Sequence, residues 1–137
     1  MREIIFRGRM NDGRWIHGSL DVMEYGSTNI ITPDSSFLGR NWRVDPETVG
    51  QYTGMCDKRG KKIFEGDIVG ASMPPIDCMA GFEWPPNAVC YHQGSFCFMT
   101  RHGATWTTLG GFAPAVELEV LGNVHDNPEL LGEWENT

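Results

Sequence analysis

The chain has 137 residues, and eighteen acids against eleven bases give it a formal net charge of −7. Hydrophobic residues make up 40% and charged residues 21%, a globular balance that lets a chain of this length fold as one domain without a disulfide or metal staple. Its 17 glycines and 8 prolines exclude long helices, its acidity excludes nonspecific coating of nucleic acid, and no apolar run is long enough to span a membrane.

The elements follow in chain order. Residues Glu3 to Arg9 alternate, with Ile4 and Phe6 on one face and Glu3 and Arg7 on the other. Asn11-Asp12-Gly13 is a turn signal, because Asn and Gly tolerate positive φ cheaply, so Arg14 to Leu20 is expected to return as the partner strand of an N-terminal hairpin. Asn29 to Thr32 reads as a short strand stopped by Pro33, and Asp34 to Asn41 as loop. Gln51 to Cys56 predicts a strand, Asp57 to Lys61 a tight turn with Gly60 at the left-handed position, and Ile63-Phe64 the return. Gly66-Asp67 interrupts it before Ile68-Val69. Short strands separated by such turns favour a small barrel over a layered α/β fold.

Gly70 to Asn87 holds Pro74, Pro75, Pro85 and Pro86 and no sustained period, which predicts a long excursion. Ala88 to His92 and Phe96 to Thr100 predict a second hairpin around Gly94-Ser95. Arg101 to Gly111 is polar apart from Trp106. Val116 to Leu121 predicts a last strand, and Asn127-Pro128-Glu129 a helix start that has room for barely two turns before Gly132.

Two blocks carry a specific resemblance. One runs from Val44-Asp45-Pro46-Glu47-Thr48-Val49-Gly50-Gln51-Tyr52-Thr53-Gly54 through Asp57-Lys58-Arg59-Gly60-Lys61 to Phe64-Glu65-Gly66-Asp67-Ile68-Val69. The other is Glu119 to Leu131, containing Gly122-Asn123-Val124-His125-Asp126-Asn127-Pro128. With the opening Arg2 to Gly8, the order and spacing resemble the YopX family of phage and prophage proteins. That resemblance implies a mostly β protein: a small SH3-like β-barrel with an N-terminal β-hairpin and a short C-terminal helical tail. It carries no catalytic activity or catalytic residues across. On it, residues 1–43 are the hairpin and loop, 44–131 the barrel core with the excursion 70–87, and 132–137 the tail. Ile5 and Phe64 depart mildly from the pattern, and 70–87 matches nothing in it.

The motif residues have plain structural readings. Gly54, Gly60 and Gly66 stand where the chain turns, and Asp57 and Asp67 are placed to accept backbone N–H groups nearby. Glu65-Gly66-Asp67 is therefore read as structural rather than catalytic. Cys56, Cys78, Cys90 and Cys97 form no Cys-x-x-Cys pair, and the N-terminus lacks the apolar core of a signal peptide. Reduced thiols in a cytoplasm, the host's on the family resemblance, are expected.

Centring the second hairpin on Gly94-Ser95 sets Cys90 opposite Met99 and His92 opposite Cys97, with Cys90, His92, Cys97 and Met99 on one face. Those ligand types suit a soft metal, but the spacing is no familiar zinc knuckle, and a packed sheet face is the expectation. Cys–His nucleophilic chemistry would need a depressed thiol pKa and an oxyanion site, which the residues do not show. No phosphate-loop, nucleophile-elbow or His-Glu-x-x-His motif is present. The expectation is a non-enzyme without cofactor or metal.

Two clusters mix arginine with tryptophan: Arg40, Trp42 and Arg43, and Arg101, His102 and Trp106. Arginine holds phosphate bidentately and indole stacks bases, so either cluster is a candidate site for a small anionic nucleotide. Core or interface anchoring is the competing role for both tryptophans. The sequence thus predicts a binding protein that forms a homo-oligomer, since many aromatics crowd a small fold. With the phage setting that the family resemblance implies, its expected partner is a host protein or a signalling nucleotide, in counter-defence, or else it is an interaction module in phage replication or regulation.

Overall fold

The computed structural model describes residues 2–24, 26–34, 38–99, 105–111 and 116–132, with only the backbone of Thr105 and Trp106. The chain divides into two compact units, Met1–Gly54 and Met55–Thr137. Among the described residues, eleven strands build two antiparallel sheets, ordered β4-β3-β2-β1-β5-β6 and β10-β9-β8-β7-β11.

In the first unit, β1 (Phe6–Arg9) and β2 (Trp15–Val22) form the expected hairpin, with Arg9 opposite Trp15 and Arg7 opposite His17. Gly13 takes φ +90° in the turn. The β3 strand (Thr28–Thr32) adds to β2, and β4 (Arg40–Val44) adds to β3 with Ile31 opposite Asn41. Here the loop expected to reach Asn41 gives way to strand at Arg40, because β3 offers a free ladder and Asn41-Trp42-Arg43-Val44 alternates against it. The Asp45-Pro46-Glu47-Thr48 motif then reverses the chain through a short 3-10 turn, Asp45 Oδ1 accepting the Glu47 N–H at 3.0 Å. Buried Thr48 accepts the Arg9 N–H at 2.8 Å and donates to the Asp45 carbonyl at 2.6 Å, which fixes the turn against β1. Ile30 and Val44 are buried on one face of this sheet.

The β5 strand (Gly50–Cys56) runs from the first unit into the second, where β6 (Lys62–Phe64), β7 (Asp67–Met73), β8 (Phe82–His92), β9 (Ser95–Met99), β10 (Thr105–Thr108) and β11 (Glu117–Asn123) follow, then a four-residue helix, α1 (Glu129–Gly132). Its core is Ile63, Val69, Ala71, Val89, Phe98, Leu109 and Leu118, with Val89 directly opposite Phe98.

Three expectations are corrected in this unit. The excursion shrinks to residues 74–81, since β7 and β8 zip to Met73 opposite Phe82. Pro85 and Pro86 are tolerated inside β8 because the ladder slips there: Val69 pairs Asn87 but Ala71 pairs Trp84, a bulge where missing N–H donors cost least. The second hairpin turns on Gln93-Gly94, not Gly94-Ser95, with φ +49° and +84° as a type I′ turn demands. Finally, no barrel closes among the described residues: β4 and β6 stay as edges of one sheet, β10 and β11 of the other. Successive hairpins from β1 to β4 extend a sheet sideways instead of curling it.

The motif turn Asp57–Lys61 is held by its own carboxylate. Asp57 Oδ1 accepts the N–H groups of Arg59 and Lys61, each at 2.9 Å, and Oδ2 accepts Val120 N–H of β11 at 3.0 Å. Burial pushes this carboxyl up, but the Val120, Lys61 and Arg59 N–H groups outweigh it and hold the pKa below its ordinary 3.8. A depressed folded pKa contributes stability that is complete above the unfolded value and lost as pH falls through the folded one. Asp57→Asn should therefore cost about 1.5–3 kcal/mol near neutral pH. In denaturant titrations that gap between wild type and variant should narrow below the ordinary carboxylate pKa of 3.8.

Within β2, Gly18 lies so close to β3 that a Cβ there would fall against the Ile31 carbonyl oxygen. Gly18→Ala should push the β2–β3 ladder apart and lower the unfolding midpoint by about 1–3 kcal/mol equivalent, the usual cost of overpacking, whereas Gly54→Ala meets no atom and pays only for its φ of +90°.

Candidate functional site

The register of β1 to β4 decides which side chains meet. One face carries Arg7, Arg9, Trp15, His17, Ser19, Asp21, Asn29, Ile31, Asn41 and Arg43, with Asp21, Asn29 and Arg43 in one row across three strands. The other carries Phe6, Gly8, Ile16, Leu20, Ile30, Thr32, Arg40, Trp42 and Val44. Strand period two thus splits the predicted cluster: Arg40 stays with Trp42, and Arg43 points away from it.

Trp42 is half-buried, and its Nε1 donates to Thr32 Oγ1 at 2.9 Å, which fixes the indole on the sheet. The Arg40 guanidinium lies over the ring at 4.2 Å from the centroid, and Arg14 approaches it at 5.7 Å. Arg14 enters from the end of β2, on the same side of the ladder, and was not foreseen. The signal was present, since the Asn-Asp-Gly turn fixes the hairpin register, but β4 had to be recognised as a strand first. Arg14 is already neutralised: its Nε donates to Asp12 Oδ2 at 2.7 Å and its N–H to Oδ1 at 3.1 Å, and this backbone bond, then the guanidinium, holds the Asp12 carboxyl below the usual range. Arg40 has no carboxylate partner among the described residues. A guanidinium stacked on indole uses its face and leaves its in-plane N–H edges for an anion.

On the opposite face, Arg7 and Arg9 lie 4.8 and 6.0 Å from the Trp15 centroid. Arg7 is buried beneath this arrangement, so the second Arg–Trp group serves as packing. Of the other cluster, Arg101 and His102 lie outside the described residues, and Trp106 is placed only by its backbone in β10.

The β8–β9 ladder sets Cys90 directly opposite Cys97 and His92 opposite Ser95, which corrects the expected Cys90–Met99 pairing. Moving the turn by one residue slides the ladder by two, so Cys90, His92, Cys97 and Met99 keep a common face. Cys97 is buried, its thiol toward the His92 and Ser95 carbonyls at 3.9 and 3.5 Å. Desolvation, then Cys97 and Glu65, pushes the Cys90 thiol up, the opposite of what a nucleophile needs. Among the described residues no three His, Cys, Asp or Glu side chains gather as a metal set. The Glu65-Gly66-Asp67 motif closes a turn: buried Asp67 accepts the Phe64 N–H at 2.7 Å.

Comparison with known proteins agrees with this frame. No curated protein matches the sequence. The crystal structure of protein EF1440 from Enterococcus faecalis matches with a TM-score of 0.58 at 21% identity, covering 96% of this chain and 99% of that one, a likeness of fold. A model of the YopX protein family matches residues 10–132, taking in both motif blocks, Val44 to Val69 and Glu119 to Leu131. The chain belongs to the YopX protein family.

Proposed function

We propose that the chain is a non-enzymatic binding protein that takes a small anionic ligand, a nucleotide, at Arg40 on the Trp42 face of its N-terminal sheet. The observation that carries this is the Arg40 guanidinium lying over a hydrogen-bonded, half-buried indole at 4.2 Å with no carboxylate partner among the described residues. Its N–H edges suit a phosphate, and its outer plane suits a base, which stacks on guanidinium as on an aromatic ring. Arg14 beside it adds field, discounted by its exposed ion pair with Asp12. The phage and prophage setting implied by the family resemblance makes the host cytoplasm the place of action. Sequestering a host signalling nucleotide, as counter-defence, is the role that fits such a binder.

Titration calorimetry against cyclic and linear nucleotides tests this. Arg40→Ala should weaken binding about ten- to a hundredfold, the loss of one or two charge-assisted hydrogen bonds, while Arg43→Ala, on the other face, should leave it unchanged. Absence of heat and of thermal shift with every nucleotide, or equal binding by Arg40→Ala, overturns the reading.

A further inference from the structure

The turn at Gln93-Gly94 sets two thiols against each other. It makes His92 and Ser95 the first hydrogen-bonded pair of the β8–β9 ladder, and the alternation of the ladder makes Cys90 and Cys97 the next. The carbonyls of the pairs on either side point outward, as that alternation requires: Phe96 accepts the Leu109 N–H at 2.9 Å and Val89 the Gly66 N–H at 2.8 Å. Register is pinned here from several sides. Tyr91 packs edge-on against Phe96 at 5.2 Å, Val89 and Phe98 are buried in the core, and Thr108 of β10 lies opposite Cys97. A slip of one residue would turn that core pair to the other face, so the two cysteines stay opposed.

The Cα atoms of a hydrogen-bonded antiparallel pair stand about 5.5 Å apart, inside the roughly 4.4–6.8 Å that a disulfide spans. Their Cβ atoms, at about 4.5–5.5 Å, stand wider than the roughly 3.8 Å typical of a bridge. Closure is within reach but draws the strands inward, which makes the strained kind of bond that small thiols reduce readily. The two sulfurs differ in access. Cys97 is buried, its thiol turned toward the Ser95 and His92 carbonyls at 3.5 and 3.9 Å, whereas Cys90 is half-buried. One rotation about the Cys97 Cα–Cβ bond exchanges those weak contacts for Cys90. Among the described residues no three His, Cys, Asp or Glu side chains gather as a metal set, so what the two thiols offer is each other.

We propose that Cys90 and Cys97 form a reversible cross-strand disulfide, a modification site at which small disulfides of the glutathione type are reduced. The accessible Cys90 attacks one sulfur of the small disulfide as its thiolate, forming a mixed disulfide and expelling one thiolate. Cys97 then attacks the Cys90 sulfur and expels the second. The pair loses two hydrogens and two electrons, and the small disulfide becomes two thiols. Burial, then Cys97 and Glu65, push the Cys90 thiol up, so the first step is slow and the pair answers to sustained oxidation. In a reducing cytoplasm the strained bridge opens and both residues rest as thiols. The pair lies in the second unit and Arg40 in the first, so none of this rests on the nucleotide reading.

Thiol mapping by mass spectrometry, on the full chain equilibrated in glutathione buffers from fully reduced to fully oxidised, tests it. Cys56→Ser with Cys78→Ser removes the two exposed thiols and leaves the pair as the readout. The intact mass should then fall by two hydrogens in the oxidised buffers and recover in the reduced ones, with the peptides of Cys90 and Cys97 linked. In the same background Cys97→Ala should stop at a glutathione adduct on Cys90, and Cys90→Ser should leave buried Cys97 a thiol. If Cys97→Ala does not fold, the parent and Cys90→Ser still decide. A pair that stays as thiols in fully oxidised glutathione overturns the proposal. So does a Cys90 that carries glutathione without linking to Cys97, or a wild-type chain whose bridge joins either residue to Cys56 or Cys78 instead.

Discussion

The second unit is organised around one buried carboxylate. Strands this short leave many backbone donors at their ends, and a buried N–H without an acceptor costs more than a made hydrogen bond gains. Asp57 answers for three of them, two inside its own turn and one, Val120, at a separation of 63 residues. The Lys58 N–H donates to the Leu118 carbonyl, and Lys58 and Arg59 meet Glu119 at 3.5 and 3.2 Å. The local turn is thereby welded to β11, which in turn pairs with β7. Asp67 repeats the device at the next corner, and the Gly66 N–H donates to Val89 while its carbonyl accepts from Val124. The motif residues that mark the family are therefore backbone partners, which explains why they specify a fold and say little about chemistry.

Legibility followed the range of the deciding interaction. The N-terminal hairpin, the Asp57–Lys61 turn with Gly60 at φ +82°, and the short final helix are set by neighbours in sequence, and all were readable there. The β4 strand was not, because Arg40 to Val44 becomes strand only where β3 presents an open ladder. The β8 strand hid behind Pro85 and Pro86, since a proline count cannot show that the ladder slips at that point. The turn at Gln93-Gly94 misled for a smaller reason: Gln93 takes φ +49°, a position usually given to Asn or Gly.

Those same misses decided what could be seen of the candidate site. With Arg40 to Arg43 taken as loop, both arginines could surround Trp42. In a strand only Arg40 can, and the second cation at the indole comes from Arg14, twenty-eight residues before Trp42 in the chain. The Arg–Trp composition was legible; the pairing was a property of register.

The two faces of the N-terminal sheet then carry different work. On one, Trp42 is anchored to Thr32 with the Arg40 guanidinium over its ring; on the other, Arg43 stands exposed opposite Asn29. A sheet of β-hairpins separates them without any further device, because alternate residues of β4 point to opposite sides. The net charge of −7 belongs mainly to the second unit, so the first can present arginines in a nearly neutral setting. A uniformly acidic protein would repel an anionic ligand from all directions. Segregation places most of that repulsion in the second unit and leaves the arginine-bearing sheet in a nearly neutral one.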